Sequence, residues 1–220
     1  AGIDVPTDGE VRRENYIHYH CRHLDGLDFE RLTEKPVRGG NYVSELPTIT
    51  GPVRARPPFL PHDWRVAQAF TDRPVKVTLP GPMTIGDTVA DAHYGDVRAL
   101  GAALAEALNG EVRALAAAGC RWIQVDEPLF ARKPAEALAH GIENLERCFH
   151  GVDEDVKRVV HICCGYPDVL DAIDYPKADR GAYLALSGAL DEAAFDALSL
   201  EDAHRHNDLA LFERFARKTL

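Results

Sequence analysis

Gly119-Cys120-Arg121-Trp122-Ile123-Gln124-Val125-Asp126-Glu127-Pro128 holds the architecture of the chain in miniature. Trp122 to Val125 form a short β-prone run, and it exits into two acids and a proline, which obstructs continuation of either a strand or a helix. Upstream, Val97, Leu100, Leu104, Leu108, Val112 and Leu115 recur at helical steps, which predicts an amphipathic helix stopped by Gly119. The segment is an α-to-β unit with acids at the strand exit.

The same grammar recurs along the chain. Val75-Lys76-Val77-Thr78-Leu79 runs into Pro80-Gly81-Pro82, Arg158 to Ile162 into Cys163-Cys164-Gly165, and Phe195 to Leu200 into Glu201. Helical stretches such as Ala135 to Cys148 and Ala182 to Leu190 fill the gaps, so strands alternate with helices as a parallel α/β architecture requires. Chemically active residues collect at strand C-termini, which is where a (β/α)8 TIM-type barrel keeps its site. Such a barrel takes about 250 residues, whereas this chain has 220. Counting Asp4 to Thr7 as the first strand gives five convincing strands. The expectation is one barrel domain over residues 1–220, incomplete for want of its first and last strands, a piece of a longer protein that would self-associate through unpaired edges. The Pro-rich stretch from Gly51 to Pro61 reads as a long βα loop.

Composition narrows the function. The chain is 45% hydrophobic and has no apolar run of membrane-spanning length. Its formal charge of -10 comes from intermixed acids and bases, which leaves no basic stripe for nucleic acid. No secretory signal opens the sequence, so the expected compartment is the cytoplasm. Five irregularly spaced cysteines suit free, metal-bound or catalytic thiols better than a disulfide framework.

His161-Ile162-Cys163 is the most informative triplet, because strand residues two apart face the same way and bring an imidazole and a thiol together. Alone the spacing is commonplace. However, it occurs in order with Asp8-Gly9-Glu10, Leu79-Pro80-Gly81-Pro82-Met83-Thr84-Ile85, Gln124-Val125-Asp126-Glu127-Pro128 and Ser199-Leu200-Glu201. With these segments the chain resembles, over nearly its whole length, the catalytic domain of cobalamin-independent methionine synthase and its short zinc-dependent relatives. The resemblance implies that His161, Cys163 and Glu201 bind zinc, with a fourth ligand, a cysteine, expected after Leu220. It implies that Glu10 and Asp126 hold the amino group of a homocysteine-like thiol, which is methylated from 5-methyltetrahydrofolate or another donor. Two carboxylates suit an ammonium, a compact cation with three donors.

One departure concerns the donor. Thr88 stands where folate-using members of the family carry a tryptophan that stacks on the pterin. The alternatives are a zinc-dependent epoxide or alkyl:thiol transferase, a uroporphyrinogen-decarboxylase-like enzyme, which needs no zinc, and a truncated non-catalytic scaffold. Cys120 is expected at a strand start, the wrong end for a metal ligand. His18, His20, Cys21 and His23 read as surface or hydrogen-bonded groups rather than a second metal site, Asp153-Glu154-Asp155 as a solvated loop, and His204 and His206 as neighbours of the site mouth.

Overall fold

A computed structural model describes residues 2–37, 42–163, 177–202 and 206–220. The chain opens with a short helix, α1 (Tyr16–Cys21), followed by two long strands, β1 (Leu24–Val37) and β2 (Tyr42–Ala55), and helix α2 (Leu60–Gln68). Then come β3 (Lys76–Pro80), α3 (Pro82–Asp87), β4 (Ala90–Asp91), α4 (Val97–Ala118) and β5 (Trp122–Asp126). Helices α5 (Leu129–Arg132) and α6 (Pro134–Glu136) lead through a π-helical turn, Ala137–Gly141, into α7 (Ile142–Cys148). The last elements are β6 (Lys157–Ile162), α8 (Ala182–Glu192), β7 (Ala197–Leu200) and α9 (Leu209–Phe212).

The centre is a parallel sheet in the order β3-β5-β6-β7. In register, Pro80 lies opposite Asp126 and Asp126 opposite His161, while His161 lies opposite Ser199. The strand C-termini therefore bring an acid, an imidazole and a hydroxyl into one row. Val77, Leu79, Ile123, Val125, Val160 and Ile162 are buried and join the apolar face of α4, with Leu104, Val112 and Leu115, in one core. The long helix ends as its sequence predicts: Gly119 takes φ 108°, a left-handed conformation that glycine adopts without a Cβ penalty.

Two expectations change. Asp4 to Thr7 is not a strand but a single bridge, Thr7 to Lys76, supported by Lys76 N–H donating to Pro6 O at 2.8 Å. Pro6 has no N–H to extend the ladder. At the opposite edge Thr219 bridges Ala197 in parallel. Among the described residues the sheet is open: a parallel α/β fold is present, a closed barrel is not. The second change is the antiparallel pair of β1 and β2. Gly51 to Ala55, expected as loop, is the end of β2. Proline and charge along both strands and the register shifts between Asp25 and Leu27 and between Asp28 and Leu32 break the two-residue alternation that marks a strand. Leu46, Ile49 and Val53 are nevertheless buried, because β2 packs on α4.

Candidate functional site

A cavity of about 710 Å³ opens at the C-terminal ends of the parallel strands. Its wall includes Glu10, Tyr16, Lys76, Thr78, Gln124, Asp126, His161, Cys163 and Ser199, with Asp87, Thr88 and Arg132 on the side of α3 and α5. Glu10, Asp126, His161 and Cys163 thus share one space.

Glu10 enters it from a strained turn. Its φ of 58° makes it the non-glycine residue in the left-handed region among the described residues, a conformation that costs about 1 kcal/mol or more and that tends to occur at functional sites. The turn is fixed by Glu10 N–H donating to Asp8 Oδ1 (3.0 Å) and by the buried Arg13, which pairs with Glu10 Oε1 at 3.2 Å and donates to Thr78 O at 2.8 Å. Thr78 Oγ1 also donates to Glu10 Oε1, at 2.8 Å. Glu10 therefore faces the cavity while already held by an arginine.

Asp126 is 9% exposed. Its Oδ2 accepts from Tyr16 OH at 2.6 Å and its Oδ1 from Gln124 Nε2 at 2.7 Å. Gln124 Oε1 in turn accepts from Lys76 Nζ at 2.6 Å. Burial raises the Asp126 carboxyl above its ordinary value, opposed by the Tyr16 hydrogen bond, the nearby His161 and the Gln124 hydrogen bond. Burial and the adjacent Asp126 charge push the Tyr16 phenol well up, so it stays a donor. Gln124 was legible in principle, since it lies two residues before Asp126 on one strand face. Tyr16 was not, because it comes from a helix far away in sequence.

The neighbouring acid serves the scaffold. Glu127 is fully buried and accepts from Met83 N–H (2.9 Å), Thr84 N–H (3.0 Å) and Thr84 Oγ1 (2.7 Å), capping α3 from another strand. Its carboxyl is pushed up to about 7 by burial.

His161 Nδ1 lies 3.0 Å from Ser199 Oγ. Cys163 is buried on the cavity wall. Glu201 sits at the adjoining strand end, where its N–H donates to Ile162 O at 3.2 Å, but it is not part of the wall. Among the described residues no group of three or more His, Cys, Asp or Glu side chains is close enough to hold a metal ion. Cys164 and His204 lie outside the described residues. Thr88 lines the cavity with its hydroxyl turned to Thr84 O (2.8 Å) and Ile85 O (3.1 Å).

Cys120 is buried before the start of β5. His20 is buried with Nδ1 3.0 Å from Tyr16 O, and burial pushes its ring down to about 3. His23 stacks on Phe59 at 3.7 Å between centroids, His206 is exposed beside Asp202, and Asp153 to Asp155 are exposed.

An acid-lined cavity with an imidazole and a thiol at the C-terminal ends of a parallel sheet marks the chain as an α/β protein of enzymatic type. Residues 1–219 match the family described as "Cobalamin-independent synthase, Catalytic domain", and the chain belongs to that family. A methionine synthase of Saccharolobus solfataricus is 36% identical over 169 residues, covering 75% of this chain and 48% of the relative. One from Sulfolobus acidocaldarius is 33% identical, covering 82% and 52%. The solved B12-independent methionine synthase from Shewanella sp. W3-18-1, in complex with selenomethionine, superposes with a TM-score of 0.89 at 32% identity, covering 99% of this chain and 63% of that one. The chain thus spans about half the length of the curated relatives it matches. Family membership sets aside the decarboxylase alternative.

Proposed function

We propose that the chain takes part in methyl transfer to the sulfur of a homocysteine-like amino acid, with zinc bound by His161, Cys163 and Glu201 and with 5-methyltetrahydrofolate or another methyl donor. The carrying observation is that Asp126 and Glu10 share one cavity with His161 and Cys163. The carboxylates suit the substrate ammonium, and the imidazole and thiol lie where its sulfur would reach. Selenomethionine in the Shewanella relative supports an amino acid with a methylated chalcogen as the occupant.

Imidazole, thiolate and carboxylate form a donor set that zinc accepts. The Ser199 contact to Nδ1 would fix the His161 ring and leave Nε2 for the metal, the usual arrangement of a ligating histidine. Glu201 is held at the adjoining strand end by its N–H donating to Ile162 O, and its carboxylate would have to turn toward His161 and Cys163 to complete the site. A free thiol has a pKa near 8.5, and zinc bound here would hold the substrate sulfur as thiolate at neutral pH. Asp126 and Glu10 would orient the amine so that the sulfur points to that position, and the buried strand ends would limit water. The scaffold on this reading belongs to a (β/α)8 barrel, whose further strands would pair at Thr7 and Thr219. Cys21, Cys120 and Cys148 are buried free thiols, which suits a reducing compartment such as the cytoplasm. Thr88 on the wall favours, as a second reading, an alkyl donor other than folate.

Zinc content per chain after dialysis tests the assignment. The parent chain should retain zinc and lose most of it in His161→Ala and Cys163→Ser, while Asp126→Asn keeps the metal but weakens homocysteine binding. Equal zinc in the parent and both ligand variants would remove the metal assignment. Zinc retention without homocysteine binding would remove the substrate.

A further inference from the structure

We infer that Tyr16 is a positioning residue that fixes the Asp126 carboxylate for a substrate ammonium, and so sets a preference for amino-acid thiols over thiols that lack the amine. This deepens the function proposed above and rests on its assignment of Asp126 to the amine.

The two sides of the carboxylate are held differently. On one side Lys76 Nζ donates to Gln124 at 2.6 Å. An ammonium has no acceptor to offer, so this contact requires the amide oxygen of Gln124 to face Lys76 and its NH2 to face Asp126. Gln124 Nε2 then donates to Oδ1 at 2.7 Å in a fixed sense. On the other side the donor to Oδ2 is the Tyr16 hydroxyl, at 2.6 Å.

Tyr16 is itself well anchored. It opens α1, whose start is fixed by Asn15 Oδ1 accepting from Ile17 N–H and His18 N–H, both at 2.9 Å. The Arg13 guanidinium lies 5.8 Å from its ring centroid, held in turn by Thr78. The phenol therefore presents its hydroxyl to Asp126 from a rigid turn, next to the Glu10 segment.

A carboxylate has about four lone-pair sites. Tyr16 and Gln124 occupy one on each oxygen, and the cavity-facing remainder is pre-oriented for N–H donors of an ammonium. Without the hydroxyl, the broad torsion about the Asp126 carboxyl is restrained from one side only. The ammonium would then have to order its own acceptor, at a cost in affinity. A purely structural tyrosine would affect all ligands of the cavity alike, whereas a positioning tyrosine affects those that carry the amine.

The test compares two ligands of the zinc-loaded full chain by calorimetric titration: L-homocysteine and its des-amino analogue γ-mercaptobutyrate. The parent should prefer homocysteine. Tyr16→Phe should reduce that ratio roughly tenfold through weaker homocysteine binding, with the affinity for γ-mercaptobutyrate within about twofold of the parent. Unchanged γ-mercaptobutyrate binding also shows that the variant is folded with its cavity intact. Asp126→Asn should reduce the ratio at least as far. A ratio unchanged in Tyr16→Phe, or equal losses for both ligands, overturns the role of Tyr16 while leaving the amino-acid thiol in place. A parent ratio of one removes the amine assignment, and the Tyr16 role with it.

Discussion

Gly81→Ala should be among the most damaging small substitutions in this chain, although Gly81 has an ordinary backbone with φ -80° and ψ 165°. A Cβ there would overlap the Oε1, Cδ and Cγ atoms of Glu127. Glu127 is 0% exposed and cannot swing into solvent. Displacing its carboxyl strips the acceptor from Met83 N–H, Thr84 N–H and Thr84 Oγ1. Each buried donor left unsatisfied costs about 1–3 kcal/mol, and overpacking adds about 1–3 kcal/mol. Allowing for partial rescue by rearrangement, the expected loss is roughly 3–6 kcal/mol, a large share of the stability of an ordinary domain. Gly188→Ala supplies the control, because its Cβ would meet nothing within 4 Å in the interior of α8. It should stabilise the chain by about 0.5–1 kcal/mol. Urea unfolding followed by circular dichroism measures both. A Gly81→Ala variant within about 1 kcal/mol of the parent would show that Glu127 does not clip α3 to the sheet.

Glu111 Oε1 accepts from Phe59 N–H (3.0 Å) and Leu60 N–H (2.6 Å), so it caps α2 from α4. Glu111→Ala should cost about 2 kcal/mol in thermal unfolding, with Glu111→Gln recovering most of it; equal losses in the two variants would refute the cap. His20 is held neutral in the fold, with its ring pushed from 6.5 to about 3. The unfolded chain therefore binds the extra proton first as pH falls, and stability should drop between about pH 6.5 and pH 3. The corresponding slope should be shallower in His20→Gln, and identical slopes from denaturant titrations across that range would contradict the assignment.

Where hydrophobic periodicity and local punctuation agreed, the sequence was a good guide. Val97 to Gly119 folded as its spacing required, and the exits of β5, β6 and β7 carry the polar residues expected of strand C-termini. Glu10, Asp126, His161 and Cys163 line one cavity, because register alone aligns Asp126 with His161. The long pair β1 and β2 escaped because its apolar contacts are set by docking on α4, and bulges and prolines hide the alternation. Tyr16 and Lys76 escaped for a different reason: each acts through a contact between residues distant in sequence, and no local pattern encodes the meeting of Tyr16 with Asp126. Glu127 looked like half of an acidic pair, but its burial and its three donors give it to the scaffold.

The strand exit at Asp126-Glu127 separates two kinds of evolutionary constraint by a single peptide bond. Strand alternation sends one acid into the cavity and its neighbour beneath α3. A change at position 126 can alter what the pocket selects and still leave a folded protein on which selection can act. A change at position 127 removes the protein before its chemistry is ever sampled. Directed evolution toward new ligands of the cavity would therefore do best to vary residues 124 and 126 together while holding 127 fixed. An inserted or deleted residue in β5 would exchange the two faces, turning the pocket's carboxylate into a clip and the clip into a pocket carboxylate. Diversity at this site should enter by substitution, with strand length held constant.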